Sequence, residues 1–427
     1  MSRQRSPRRW RATFQSLANP NYRLWAGGAL VSNIGTWMQR VAQDWIVLTE
    51  LTHHSATAVG VVMALQFGPP LALLPLTGLA ADYFDRRKIL FVTQGLMGLL
   101  ALGLGLLTLS GAVRLWQVDV FALLLGCVAA FDSPARQAFV GDLVGEGDLA
   151  NAVALNSTSF NAARMIGPAV AGTLIAGVGT GWAFLANAVS FLGVIAGLAL
   201  LDRTRMTPRP AVVRSRGGMV EGFRYVGRRA DLRTAVIMLA LIGTFGFNFP
   251  IFISTMAVSV FHMGPGRFGL LTSAMATGSV IGALLSAGRP ARFGTQVVGA
   301  AAFGVALTAA ALMPSYWSFG VTLVFTGIAA QTFTTANNAN VQLSTDPAMR
   351  GRVMAILMAV AMGSTLPGGP LAGWLADHFG PRWAIGLAGA SGIVGALIGA
   401  RYLASAAKPP PPPRGEVLVD VNDAAES

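Results

Sequence analysis

The chain has 427 residues, 53% of them hydrophobic and only 11% charged, with 51 glycines, a net charge of +13 and a mean hydropathy of +0.58. A soluble domain carries about a quarter charged residues, so this composition excludes a water-soluble fold. It predicts an integral membrane protein whose glycines let helices approach closely in lipid.

Residues 1–21 are basic but contain no short apolar core followed by a small-residue cleavage site, so they read as an inner-face anchor rather than a removable signal. About 20 apolar residues cross a bilayer. Twelve stretches qualify: 23–50, 56–81, 88–110, 115–142, 151–178 and 181–201, then 233–261, 265–288, 295–313, 316–343, 351–378 and 381–404. The predicted fold is an all-α membrane protein of twelve transmembrane helices in two six-helix bundles, 23–201 and 233–404. A basic N-terminus (1–22), a linker (202–232) and a tail (405–427) complete the chain.

Within the linker, Met219, Val220, Phe223 and Val226 alternate with Arg224, Arg228 and Arg229. That spacing predicts an amphipathic helix on the inner leaflet, its arginines among anionic head groups; the competing reading is a disordered connection. Residues 409–413 are a polyproline run, and 414–427 are polar and read as disordered.

Basic residues set the orientation. Twenty-six arginines and lysines fall on one side of this span pattern, and only Arg114, Arg267 and Arg382 on the other. Both termini are therefore expected in the cytoplasm of a cell-membrane protein. This loop-by-loop distribution also speaks against nucleic acid as the partner of the positive charge.

Enzyme and metal classes find little support. Cys127 is the only cysteine, and no CxxC, HExxH, GxSxG or Walker-type GxxxxGK[ST] occurs. The adjacent His53 and His54 sit in a short loop and read as solvated. No cofactor and no metal site are expected.

The halves overlay at an offset of about 204. Gly78-Leu-Ala-Ala-Asp82 meets Gly282-Ala-Leu-Leu-Ser286, Asp142 meets Asp346, and Gly167-Pro168 meets Gly369-Pro370 at offset 202. Parallel six-helix repeats place a solute site between the halves near mid-membrane, reached by rocking one half against the other.

These landmarks carry a resemblance. The loop Gly78-Leu-Ala-Ala-Asp82-Tyr-Phe-Asp85-Arg86-Arg87-Lys88 resembles the signature of the major facilitator superfamily, with Tyr83 and Asp85 departing from its commonest form. Three further segments resemble the subgroup of the enterobactin exporter: Phe131-Asp-Ser-Pro-Ala-Arg136-Gln-Ala-Phe, Asn161-Ala-Ala-Arg164-Met-Ile-Gly-Pro168-Ala-Val-Ala-Gly172 and Arg350-Gly-Arg-Val-Met354. The resemblance implies that Asp82 contacts the start of span 11 near Arg352 and, with Arg86, belongs to an inner gate. Gly167, Pro168 and Gly172 resemble a shortened form of the motif of drug–proton antiporters, which favours efflux over uptake.

Charged side chains inside apolar spans mark a pathway, because each costs a few kcal/mol unless it faces water or a partner. Arg164 lies midway along span 5. Arg40 and Asp44 are one turn apart in span 1, either as a mutually neutralising pair or with Asp44 as proton carrier. Asp132 and Arg136 are one turn apart in span 4 around Pro134, read as an ion-pair brace or a proton relay, with Arg164 either neutralising Asp132 or receiving an anionic solute. The second half supplies amides instead, Asn248 and Asn337 among them, as candidate cavity lining.

The expectation is a monomeric, proton-coupled secondary transporter that exports an amphipathic small molecule, drug-like or siderophore-like. The rivals are a proton-linked importer of a small polar solute and a non-transporting membrane scaffold or receptor.

Overall fold

The computed structural model describes residues 14–202, 204, 206, 219–287 and 292–406. Every regular element among them is helical. The basic residues at positions 3–11, the arginines at 203–216, Arg289 and the polyproline tail lie outside the described residues.

Twelve rods cross the molecule in order. Span 1 is Pro20–Ile46, capped by Asn19 and prolonged by a π-helical turn, Val47–Leu51. Span 2 is broken into Ala56–Ala72 and Leu74–Tyr83. Spans 3 to 6 are Arg86–Leu109, Leu115–Leu143, Glu146–Val178 and Thr180–Ala199. A short helix, Met219–Arg228, precedes span 7. That span runs Ala230–Phe245, breaks at Gly246–Asn248, and resumes as Phe249–Thr255 with a π-helical turn, Met256–Val260. Spans 8 to 10 are Pro265–Ser286, Phe293–Leu312 and Tyr316–Ser344. Span 11 is Arg350–Gly363 plus Thr365–Phe379, and span 12 is Pro381–Ala406.

The break in span 7 has a local cause. Both Gly246 and Phe247 donate their backbone N–H to Ile242 O, at 2.7 and 3.1 Å, and a new helix starts at Phe249-Pro250. Irregular backbone at membrane depth is tolerated where it borders protein or a cavity, and Phe247 and Phe249 both face one.

The twofold repeat is visible in backbone detail. Spans 1 and 7 each end in a π-helical turn followed by a histidine in the left-handed region, His54 (φ 63°) and His262 (φ 52°). Spans 5 and 11 each stop at a left-handed glycine, Gly179 (φ 95°) and Gly380 (φ 97°), which a side chain would strain. Spans 3 and 4 are joined by Gln94 Nε2 donating to Asp132 Oδ1 at 2.6 Å, and spans 9 and 10 by Gln296 Nε2 donating to Asn337 Oδ1 at 2.7 Å. Asn337 is thus the neutral counterpart of Asp132.

The hydrogen bonds described between the halves lie toward the end remote from both chain termini. Asp377, at the end of span 11, accepts from Ala56 N at 2.7 Å, Thr57 N at 2.9 Å and Thr57 Oγ1 at 2.6 Å, at the start of span 2. Ser273 Oγ donates to Met165 O at 2.8 Å between spans 8 and 5. Glycines close these crossings. An added Cβ at Gly172 would lie 2.6 Å from Pro265 O, and one at Gly369 2.8 Å from Gly60 O.

Among the described residues, nine helices are long and apolar enough to cross a membrane by length and composition alone. Spans 1, 2 and 5 miss that threshold, two through polar content and one through its break at Leu73. Two of these, spans 1 and 5, carry the charged side chains of the central cavity, and span 2 adds Gln66.

Candidate functional site: a two-faced cavity between the halves

Span 1 presents Trp37, Arg40, Val41 and Asp44 at spacings of three, four and seven residues, which puts them on one helical face. Gln66 and Phe67 of span 2 and Arg164 of span 5 join them, and Phe268 and Thr272 of span 8 close the far wall. The cavity measures about 220 Å³.

Arg164, Phe247, Phe249 and Met275 also line a second cavity of about 470 Å³. It extends between spans 10 and 11 past Gln331 and Asn338 to Met354, one turn from the start of span 11. The two cavities form a continuous wall at Arg164. Their surfaces differ in chemistry: the first half supplies two arginines, a carboxylate and an amide. The second supplies no charge but phenylalanines, the amides Gln331 and Asn338, and Met354, Met358 and Met362, a row at i, i+4 and i+8 of deformable thioethers.

Arg40 and Asp44 share the cavity without forming an ion pair. The Arg40 guanidinium instead lies between two rings, 4.9 Å from the Trp37 centroid and 5.2 Å from that of Phe67. Its Nε is buried without a hydrogen-bond partner among the described residues. The Arg164 guanidinium lies 5.7 Å from the same Trp37 ring. Cation–π contact partly compensates a cation for lost water, so the aromatic rings take the part that one of the two readings of this spacing gave to an Arg40–Asp44 pair.

Gly167 and Pro168 set this arrangement. A Cβ on Gly167 would lie 2.7 Å from Trp37 Cβ and 2.9 Å from Ile34 O, so glycine lets span 5 press onto span 1 behind the indole. Pro168 has no N–H, and the Arg164 carbonyl one turn back loses its helical donor. The neighbouring Met165 carbonyl accepts instead from Ser273 across the halves.

Asp132 and Arg136 lie apart from the cavity. Asp132 is buried and accepts from Arg136 Nε at 3.0 Å, Thr93 Oγ1 at 2.8 Å and Gln94 Nε2 at 2.6 Å. Arg136 also donates to Asn33 Oδ1 at 3.2 Å, tying span 4 to span 1. The carboxylate is satisfied within this brace and is not neutralised by Arg164, which stands at a different depth facing the cavity. Asn248 and Asn337 are fully buried and outside the cavity lining: Asn248 donates to Thr244 O at 2.7 Å, and Asn337 accepts from Gln296.

Asp82 closes the second segment of span 2, and its side chain lies outside the described residues. Arg86 pairs within its own half, donating to Asp142 Oδ1 at 2.7 Å. Arg352, the residue expected near Asp82, donates to Glu221 Oε2 at 2.7 Å. Three participants went unread as site residues in the sequence. Gln66, hydrogen-bonded to Gln43 at 3.0 Å, was signalled only as an amide inside an apolar run. The methionine row was signalled by its spacing. Asp377 carried no signal beyond a carboxylate next to a span end.

The chain matches, over residues 11–408, the family described as transmembrane secretion effector. It is 27% identical over 338 residues to the staphyloferrin A transporter of Staphylococcus aureus, covering 76% of this chain and 82% of that protein. It is 28% identical over 376 residues to the multidrug efflux pump Tap of Mycolicibacterium fortuitum, covering 82% and 88%. To the enterobactin exporter EntS of Shigella flexneri it is 26% identical over 357 residues, covering 78% and 83%. In fold it is similar to an inward-facing, occupied bacterial homolog of the human lysosomal transporter Spinster, with TM-score 0.66 and 18% identity over 94% of this chain and 98% of that one. These relatives are transporters rather than enzymes. The chain therefore belongs to the transmembrane secretion effector family and, with its duplicated twelve-helix fold, to the major facilitator superfamily of membrane transporters.

Proposed function

We propose that this protein is a proton-coupled exporter that carries an amphipathic small molecule across the cell membrane by alternating access. The observation that carries the reading is the two-faced cavity. Arg40, Asp44 and Arg164 offer donors and an acceptor on one side, and Phe247, Phe249 and the methionine row offer an adaptable apolar surface on the other. Pockets of this kind combine a large apolar lining with a few convergent polar groups. Efflux is favoured over uptake by the multidrug and siderophore exporters among the relatives.

With both termini in the cytoplasm, the end closed by Asp377 is the outer one, and the state described here faces inward. Solute enters along spans 10 and 11 and meets Arg164. Asp44 is the group we assign to proton exchange: it is buried, borders the cavity, and has no hydrogen-bond donor among the described residues. Asp82 and Arg86 belong, in this reading, to the inner gate that forms when the outer end opens.

The test is flux in everted vesicles. A transported compound is expected to accumulate inside them when an inward-acid pH gradient is imposed and to collapse that gradient as it does so. Accumulation that follows the solute's own gradient and leaves the pH gradient unchanged overturns proton coupling. The absence of transport across a panel of drug-like and siderophore-like compounds supports the scaffold reading.

A further inference from the structure

The short helix Met219–Arg228 uses its two faces differently. One face is bound to the protein. Gly222 and Val226, one turn apart, are buried, and a Cβ on Gly222 would lie 3.2 Å from Arg352 Cβ and 3.1 Å from Ile356 Cδ1. Glu221 accepts from Arg352 Nη1 at 2.7 Å, and Tyr225 Oη donates to Asp346 Oδ2 at 2.9 Å. The helix is thereby fastened to the first turn of span 11 and to the loop before it.

The other face has no such partner among the described residues. Val220 is 72% exposed and Phe223 54% exposed, while Arg224 and Arg228 are exposed beside them. At 100° per residue, Phe223, Val220, Arg224 and Arg228 follow one another round an arc of about 140°, the apolar pair at one edge and the arginines at the other, and this arc faces away from Gly222, Val226 and Tyr225 taken together. The helix runs into span 7 within two residues, and Arg229 Nη2 donates to Ser344 O at 3.1 Å at the end of span 10. It therefore lies level with the ends of spans 7, 10 and 11, the depth at which a bilayer has its head groups. Between positions 203 and 233 the sequence carries nine arginines against two acidic residues, Glu221 and Asp231.

We propose that this face binds the anionic phospholipid surface of the leaflet on the side of the chain termini. Arg224 and Arg228 hold lipid phosphates, and Val220 and Phe223 enter the acyl boundary beside them. The charge of the face matches an anionic leaflet, and its exposed apolar pair is too small for a protein interface but suits interfacial insertion. Because Glu221 and Tyr225 fasten the same helix to the start of span 11, the composition of that leaflet acts directly on a helix that lines the cavity.

The test uses the full chain in nanodiscs, with Cys127→Ser and an environment-sensitive fluorophore on Phe223→Cys. Discs of phosphatidylcholine alone are compared with discs containing phosphatidylglycerol. The expected result is a blue shift in the anionic discs that high salt reverses. The same probe on Leu343→Cys, exposed at the end of span 10, is expected to ignore lipid charge. Arg224→Gln with Arg228→Gln is expected to raise the phosphatidylglycerol fraction needed for half the shift by about tenfold or more, each surface arginine contributing about fivefold. An equal response in both disc types assigns the face to an uncharged surface or a protein partner and overturns the proposal. So does a double variant that responds like the parent.

Discussion

Asp377 accepts from Ala56 N at 2.7 Å, so a carboxylate at the end of span 11 sits on the N-terminus of span 2 in the other half. Thr57 adds its N–H and hydroxyl. A helix N-terminus carries unsatisfied donors and the positive end of the helix dipole, which makes this a charge-assisted latch between the halves. It joins, at the opposite end, the same two spans as the contact expected of Asp82 with the start of span 11.

Asp377→Asn keeps the shape and removes the charge. Losing that charge-assisted contact is expected to cost the closed state about 1–2 kcal/mol, shifting the balance toward the outward-open state by roughly 5- to 30-fold. Distance measurement between spin labels on the remote ends of spans 2 and 11 reads this directly. An unchanged distance distribution contradicts the latch.

Gly167 is expected to tolerate little. A Cβ there would lie 2.7 Å from Trp37 Cβ, so Gly167→Ala must push span 5 off span 1. Overpacking of this kind costs about 1–3 kcal/mol. The thermal midpoint should fall, and the intrinsic fluorescence of Trp37 should change, measured against the parent chain in the same detergent. The same substitution at Gly177 of the same span, where nothing lies within 4 Å, should leave both unchanged.

Asp132→Ala separates scaffold from pathway. Removing one partner of a buried, hydrogen-bonded ion pair costs about 3–5 kcal/mol, so the variant should be strongly destabilised. Asp132→Asn, which reproduces the Gln296–Asn337 chemistry of the second half, should recover much of that loss. Solute affinity of the folded Asn variant should match the parent. A large loss of affinity without loss of stability would return Asp132 to the pathway.

Arg164→Gln keeps a hydrogen-bonding side chain while removing the charge at the junction of the two cavities. Solute affinity is expected to fall by about tenfold or more, the usual worth of a hydrogen bond to a charged group, with the melting temperature little changed. Asp44→Asn is expected to leave solute binding measurable and to flatten the pH dependence of flux. Normal pH dependence in that variant removes Asp44 from the proton path.

The spans and the repeat were legible in the sequence because both follow from apolar length and a fixed offset. The pairing of residues inside them was less so. Arg40 and Asp44 have the spacing of a helical ion pair, yet Trp37 and Phe67, placed by two different helices, take the guanidinium instead. Arg164 and Asp132 are adjacent in the helix order but stand at different depths, which no spacing rule encodes. Asn337 has the composition of a cavity-lining amide, yet its hydrogen bond from Gln296 puts it in the joint between spans 9 and 10. Asp377 acts through backbone donors of a distant helix start, and its sequence neighbours give no hint of that.

The most direct test of the account is labelling at the cavity wall. In a Cys127→Ser chain carrying Thr272→Cys on the wall across the cavity from Arg40 and Arg164, a charged, membrane-impermeant maleimide is applied to everted and to right-side-out vesicles. The account predicts labelling from the cytoplasmic face in the state described here, and slower labelling when a transported solute is present. If the cysteine is never labelled from either face, no aqueous path reaches Arg40, Asp44 and Arg164, and the transport site proposed here does not exist.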